Sequence, residues 1–510
     1  MQLAIATTSE SAASAGAEMA KSGGNAVDAA IAAAMVSIST EPGVCAPGCG
    51  GYLTIWPPGS GPVTLDGNIF VPGRGLPEEP REERGVEVSM DYGGGVTTIV
   101  GPASVGVPGG IAALGAASER YGVLPWKEVL GPAVAATRNG FPLPEACHAY
   151  LLLSGKPIFG RAPDGHNALH HADGRLKSVG ELIRVPHLSD SLDRLARYGP
   201  REFYEGELGR TIAAHIQDGG GSLTLEDLKS CHAIPRPSLK IDSGLWQVAT
   251  NPAPAVGGSV LAAMLLLMSK HGVTRWDRET LSTLIDVQLA ALTYRRERLD
   301  LSDQIEADAA ELLNLSSTGD ARALMQAPST VHTSCVDSQG LACAITLSAG
   351  YGSGEMPDGT GLWLNNCLGE LELNRRGLMA GPPGATIPSN MAPTTARATN
   401  GTVMAIGSPG ADRITTAILQ VLVNYLQVGM PLREAVEHPR AHVELGGDFG
   451  YQVAYEPGLP IYELDVPQRA YDGLSMYFGG AGAVTWSTET GFEVAADPRR
   501  AGGTWSSIEQ

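Results

Sequence analysis

The sequence predicts an α+β fold. Three observations carry the prediction: apolar residues recur at helical spacing in several long segments, short strand-like runs alternate with them across Gly and Pro joints, and a tight two-stranded hairpin follows residue 330. Asn25 to Ser39 is the clearest helix, with Val27, Ile31, Met35 and Ile38 along one stripe and alanines filling the rest. Glu41-Pro42-Gly43 ends it, and a Gly-rich turn (Gly48, Gly50, Gly51) leads into a strand from Tyr52 to Trp56. Further helices are predicted at Gly110 to Tyr121, Leu188 to Tyr198, Glu202 to Asp218, Gly258 to His271, Glu279 to Leu299 and Ile414 to Leu426. Leu301 to Ser329, with its acidic residues, Ser-Ser-Thr-Gly and Pro328, reads as an accessible connector. Val331 to Val336 and Leu341 to Ser348 are strands, joined by the turn Asp337-Ser338-Gln339-Gly340.

Composition narrows the function. The chain has 510 residues, 35 Lys plus Arg against 54 Asp plus Glu, and a net charge of −19, which disfavours nucleic acid and anionic membrane as partners. The longest apolar run, near Val260 to Met268, is too short to span a bilayer, and the start lacks a basic region followed by an apolar segment; a cytoplasmic protein is the expectation. Seven scattered cysteines suit reduced thiols, and Cys45 with Cys49 has no second pair to complete a metal site. His166, His170, His171 and Asp173 sit in a Gly- and Asp-rich stretch that reads as a solvated loop. The glycine clusters around Gly352 and Gly410 lack the signature of a nucleotide loop, so no cofactor is expected.

Thr330 is the candidate nucleophile. A threonine hydroxyl needs a neighbouring base, and its own α-amine, with an ordinary pKa near ~7.7–8.0, supplies one once the bond after Ser329 is cut. The hairpin returns the second strand to the first, so that Ser348 or Leu347 lies across from Thr330, depending on register. His332 shares an alternating face with Thr330 and is read as a structural hydrogen-bonding residue. The loop Gly407-Ser408-Pro409-Gly410-Ala411, just before a helix, offers backbone N–H groups of the kind an oxyanion hole requires.

In order along the chain, Gly23-Gly24-Asn25-Ala26-Val27-Asp28, the Gly48 to Gly51 cluster, Asn251-Pro252-Ala253-Pro254, Thr330-Val331-His332-Thr333-Ser334, Gly352-Ser353-Gly354, Leu364-Asn365-Asn366, Pro388-Ser389-Asn390-Met391-Ala392-Pro393-Thr394 and Gly407-Ser408-Pro409-Gly410 resemble the γ-glutamyltransferases, which are N-terminal-nucleophile hydrolases. The resemblance covers most of the chain. It implies a four-layer αββα sandwich, made as one precursor and cut into a large subunit (1–329) and a small one (330–510) that together form a single domain. It implies that Thr330 is the new N-terminus, that Ser348 bonds its amine, and that Gly410 and Ala411 form the oxyanion pair. Ser389 and Asn390 match a Ser-Ser pair that binds the substrate carboxylate, and Glu370 an Asp that binds the substrate amine. Where the family commonly has an Arg clamping the glutamyl carboxylate, this chain has Asn68, and Arg74 lies six residues on. The expected partners are small molecules and the two subunits of one precursor. The expected activity is amide hydrolysis or acyl transfer. Two alternatives stand beside it: hydrolysis of a carbon–carbon bond next to a keto group, as in pathways to alkylproline antibiotics, and a non-processing scaffold.

Overall fold

Two antiparallel sheets stack face to face, each covered on its outer side by helices, in the computed structural model of the chain. The structure describes residues 1–77, 85–91, 95–318, 330–372, 374–446 and 450–507. Among these residues the first sheet runs Ile234–Pro237, Val63–Gly67, Gly50–Trp56, Ala342–Ser348, Val331–Asp337, Leu3–Thr7, Gly503–Ser506. The second runs Leu239–Ser243, Trp246–Thr250, Thr394–Ala398, Val403–Gly407, Gly482–Ser487, Gly491–Ala496. Strands from before and after Thr330 interleave in the first sheet and lie side by side in the second, so neither part of the chain holds a complete sheet.

The two-residue period of a strand sends alternate side chains between the sheets. There, Ala4, Ala6, Val336, Ala342 and Ala344 of the first sheet meet Ala249, Val403, Ala405 and Val484 of the second. These small side chains let the layers approach closely. Outside the first sheet lies the wholly buried helix Ala26–Thr40, which touches both hairpin strands. Its start is fixed by a capping box: the Asn25 side chain accepts from the backbone of Val27 and Asp28, and the Asp28 carboxylate accepts from Asn25 N–H at 3.0 Å. Helices Val256–His271 and Arg413–Val423 cover the outer side of the second sheet, and Arg278–Tyr294 packs on the first of them.

Three expectations need correction. The stretch read as a connector contains the helix Ile305–Thr318, whose Ala309, Leu312 and Ser316 are buried; residues 319–329 lie outside those described. The helix predicted from Glu202 begins at Glu207, because Glu202 sits in a preceding 3₁₀ turn and its carboxylate accepts from Glu207 N–H at 2.9 Å, capping the new helix. His166 lies on a short helix, Pro163–Leu169, rather than in a loop, with its ring stacked on His170. Among the described residues no group of three His, Cys, Asp or Glu gathers as a metal site, and no helix is long and apolar enough to cross a membrane.

Candidate active site

The hairpin ladder settles the partner of Thr330. Val331 pairs with Leu347 and His332 with Thr346, so one step further along the ladder Thr330 stands opposite Ser348. Thr330 is 1% exposed and Ser348 is buried, with its hydroxyl accepting from Gly350 N–H at 3.1 Å. His332, two residues on, is held by Thr346 Oγ1 at 2.8 Å through Nδ1 and by Ser334 Oγ at 2.7 Å through Nε2. Burial, opposed only by a backbone hydrogen bond near Ile345, pushes the His332 pKa down to about 3. The imidazole is therefore neutral at ordinary pH, with both nitrogens committed to hydroxyls. That fits its reading as a structural residue.

A small cavity opens beside Thr330. Asn68, Glu370, Ser389, Asn390 and Ser348 line it together with Thr330, and Ile69, Cys367, Ile387, Pro388, Met391 and Ile414 complete the wall. Six residues singled out from widely separated parts of the sequence thus meet in one place. The Pro-rich block near residue 252 helps to bring them there: Asn251 Nδ2 donates to Met391 O at 2.8 Å, and the N–H groups of Val256 and Gly257 donate to Ser389 O at 3.0 and 2.9 Å.

Each polar wall residue has a defined orientation. Asn68 donates from Nδ2 to Ile387 O at 2.9 Å. Asn390 donates from Nδ2 to Asp412 Oδ1 at 2.9 Å. Glu370 folds under Gly350, whose φ of +64° and close approach to the Glu370 carboxyl leave no room for a Cβ. Burial first, and then the neighbouring Glu372 carboxylate, push the Glu370 pKa up to about 8 against the opposing Cys367 thiol. Glu370 is therefore mainly the neutral acid at pH 7.

The Gly410–Ala411 loop joins the strand Val403–Gly407 to the helix Arg413–Val423, and Ile414, on the first turn of that helix, lines the cavity. Gly410 has φ +125°, and a Cβ there would lie 2.5 Å from Gly479 Cα, so only glycine fits. Ala411 has φ +67°, a left-handed conformation that costs an alanine on the order of 1 kcal/mol. Neither residue's N–H donates a hydrogen bond among the described residues. Neither residue is among those that line the cavity, which this loop reaches through Ile414.

Two residues that the sequence reading passed over tie this loop to the rest of the molecule. Asp412, next after Ala411, accepts from Arg295 Nη1 at 2.5 Å, while Arg295 Nε donates to Asp300 at 2.9 Å, all three side chains being about 1% exposed. Arg295 opens a π-helical turn, Arg295–Leu299, at the end of the helix Arg278–Tyr294. The available signal was an arginine falling on the buried stripe that includes Leu284, Leu292 and Leu299. Arg74, the possible substitute for a carboxylate clamp, lines a separate cavity with Phe70, Asp227 and His232, and its guanidinium packs beside Gly384. Ser329 lies outside the described residues.

Residues 12–507 match the model of the family described as gamma-glutamyltranspeptidase. The glutathione hydrolase proenzyme of Pseudomonas aeruginosa is 28% identical over 98% of this chain and 93% of its own length. Among solved structures, a cephalosporin acylase from Bacillus halodurans superimposes with a TM-score of 0.78 at 22% identity, covering 99% of this chain and 95% of that one. A variant of LmbA2991 gives 0.79 at 20% identity, covering 99% and 98%. At these identities the two structures share the fold with this chain, a four-layer sandwich. With a sequence match spanning nearly its whole length and that four-layer fold, the chain belongs to the gamma-glutamyltranspeptidase family.

Proposed function

We propose that the chain is an autoprocessing hydrolase or acyltransferase in which Thr330 is the nucleophile. The observation that carries the reading is the placement of Thr330 opposite Ser348 in the wall of a cavity shared with Asn68, Glu370, Ser389 and Asn390. Thr330 Oγ1 first attacks the carbonyl carbon of Ser329, the peptide bond passes to an ester, and water hydrolyses the ester. The chain is then two subunits, 1–329 and 330–510, held together by their interleaved strands. The freed α-amine takes the Oγ1 proton as Oγ1 attacks an amide carbonyl, and the N–H groups of Gly410 and Ala411 hold the oxyanion. The amide nitrogen leaves with that proton. The acyl-enzyme then passes its acyl group to water or to an amine acceptor.

The test is the intact mass of the smaller fragment during turnover of amide substrates. The proposal requires an acyl adduct on the fragment that starts with Thr330, retained in Thr330→Ser, whereas Thr330→Ala, which stays a single chain, should carry no adduct on that chain. Turnover with no adduct and undiminished in Thr330→Ala would remove the nucleophile.

A second reading keeps the nucleophile and moves it to a ketone, so that a carbon–carbon bond breaks and the carbon fragment leaves with the proton from the α-ammonium. It is favoured by the lack of Lys, Arg or His among the described residues of the cavity wall, which weakens the case for a glutamyl carboxylate. Such a reaction next to a keto group is the kind expected in an alkylproline-type antibiotic pathway. Product analysis with keto acids and with γ-glutamyl amides separates the readings: cleavage of the amides alone would discard the ketone reaction. A chain that neither cuts itself nor turns over any substrate would be a scaffold.

A further inference from the structure

The short strand Ile69–Phe70 borders a different cavity on each side. Ile69, with Asn68 before it, lines the cavity beside Thr330, whereas Phe70 and Val71 line a second one, and the two have no described residue in common. Alternation along the strand produces the division. Neighbouring segments hold the strand in place: Phe70 pairs with Val107, Val71 N–H donates to Ala385 O at 2.8 Å, and Gly384 N–H donates to Val71 O at 2.8 Å.

The lining of the second cavity divides by chemistry. Phe70, Val107 and Ile234 are apolar, and burial pushes the neighbouring Cys231 thiol up to about 12, so this part carries no thiolate. Arg74, Asp227 and His232 supply the polar part. The Asp227 carboxylate is fully engaged: Oδ1 accepts from Arg74 N–H at 2.9 Å, and Oδ2 from the N–H groups of Gly73 and Thr224 at 2.7 and 3.0 Å. His232 donates from Nδ1 to Ser230 O at 3.1 Å.

Arg74 is held in place without an acceptor. Its N–H is fixed by Asp227 and its carbonyl by Thr224 Oγ1 at 3.0 Å. Its guanidinium rests against Gly384, where φ is +89° and a Cβ would lie 2.2 Å from Nη2. The guanidinium nevertheless makes no hydrogen bond or ion pair among the described residues. Arg236, on the adjoining edge strand, is by contrast bound by Asp66 at 2.8 Å. Five N–H donors in a planar fork match a carboxylate, and a fork already positioned loses little freedom when it binds one. Apolar walls with a few placed polar groups are the pattern of a small-molecule site.

We propose that this second cavity binds a small monocarboxylate with an unbranched apolar tail, the carboxylate on Arg74 and the tail against Phe70, Val107 and Ile234. The site is distinct from the cavity beside Thr330 and does not depend on the chemistry there.

Hexanoate, acetate and 1-hexanol separate the two halves of the site, since the first has charge and tail, the second charge alone and the third tail alone. Titration calorimetry with the full-length protein should give hexanoate a Kd below about 5 mM and each of the others an affinity at least about tenfold weaker. Arg74→Gln should bring hexanoate within about twofold of 1-hexanol, and the circular dichroism spectrum should stay unchanged because the side chain is exposed. Arg74→Lys, which keeps the charge and loses the fork, should weaken hexanoate about threefold or more. Hexanoate held elsewhere, including the cavity beside Thr330, would bind both variants as it binds the wild type, and that result would overturn the proposal. So would 1-hexanol or acetate binding as tightly as hexanoate, or no detectable binding of hexanoate up to about 10 mM.

Discussion

Thr330 and Ser348 face each other across the last step of the hairpin ladder, one pair beyond Val331 and Leu347. In the proposed reaction Ser348 is the neighbour that orients the amine of Thr330 once the chain is cut. Ser348→Ala should slow both self-cleavage and acyl transfer by about 10- to 100-fold, the worth of one to two well-placed hydrogen bonds. A gel time course and the rate of p-nitroaniline release measure the two effects. Unchanged rates would mean that another group holds the amine.

Ala411 stores strain at the candidate oxyanion loop. With φ at +67°, Ala411→Gly should raise stability by about 1 kcal/mol, whereas Ala411→Val, whose branched Cβ tolerates this conformation worse, should lower it. Denaturant melts of both variants give the comparison. Equal midpoints would show that the loop relaxes to another conformation in solution.

Arg295 neutralises two buried carboxylates at once. Arg295→Met should cost about 3–5 kcal/mol at pH 7 by leaving Asp412 and Asp300 without their cation. Burial, partly offset by Arg295, already pushes Asp300 up to about 6. The loss should therefore be smaller at pH 5, where Asp300 is protonated in the folded protein and one fewer charge is stranded. Urea melts at the two pH values check both the size and the sign.

His332 makes a separate prediction about pH. Its folded pKa of about 3 lies below the ordinary 6.5, so the unfolded chain takes up a proton there before the folded one does. Its contribution to stability is complete above pH 6.5 and is lost as pH falls towards 3. His332→Gln should flatten that part of the stability curve and leave the acid limb of the rate profile, set by the α-amine that must be neutral to take a proton, where it was. A profile whose acid limb shifts would make His332 part of the proton-transfer machinery.

How far the sequence was readable depends on the range of each contact. The helices Gly110–Tyr121 and Leu188–Tyr198 have the ends their pattern announces, since period and terminal glycine are local signals. The hairpin was also local, but its register was not. Pairing Val336 with residue 341 would have set Leu347 against Thr330; instead Val336 pairs with Ala342, and Asp337 N–H bonds Leu341 O at 3.1 Å. That one-residue difference puts Ser348 there. The cavity residues were named through resemblance and do converge, whereas Arg295 and Asp412, 117 positions apart, form a contact that no local pattern encodes. The helix Ile305–Thr318 escaped because its buried stripe is short and built on Ala309, Leu312 and Ser316.

The central claim is that Thr330 becomes an N-terminus. Purified full-length protein, incubated and analysed by intact mass and N-terminal sequencing, should resolve into two fragments, the smaller beginning Thr-Val-His-Thr, while Thr330→Ala stays a single chain. Wild-type protein that remains one chain after prolonged incubation, or a small fragment starting anywhere else, would contradict it.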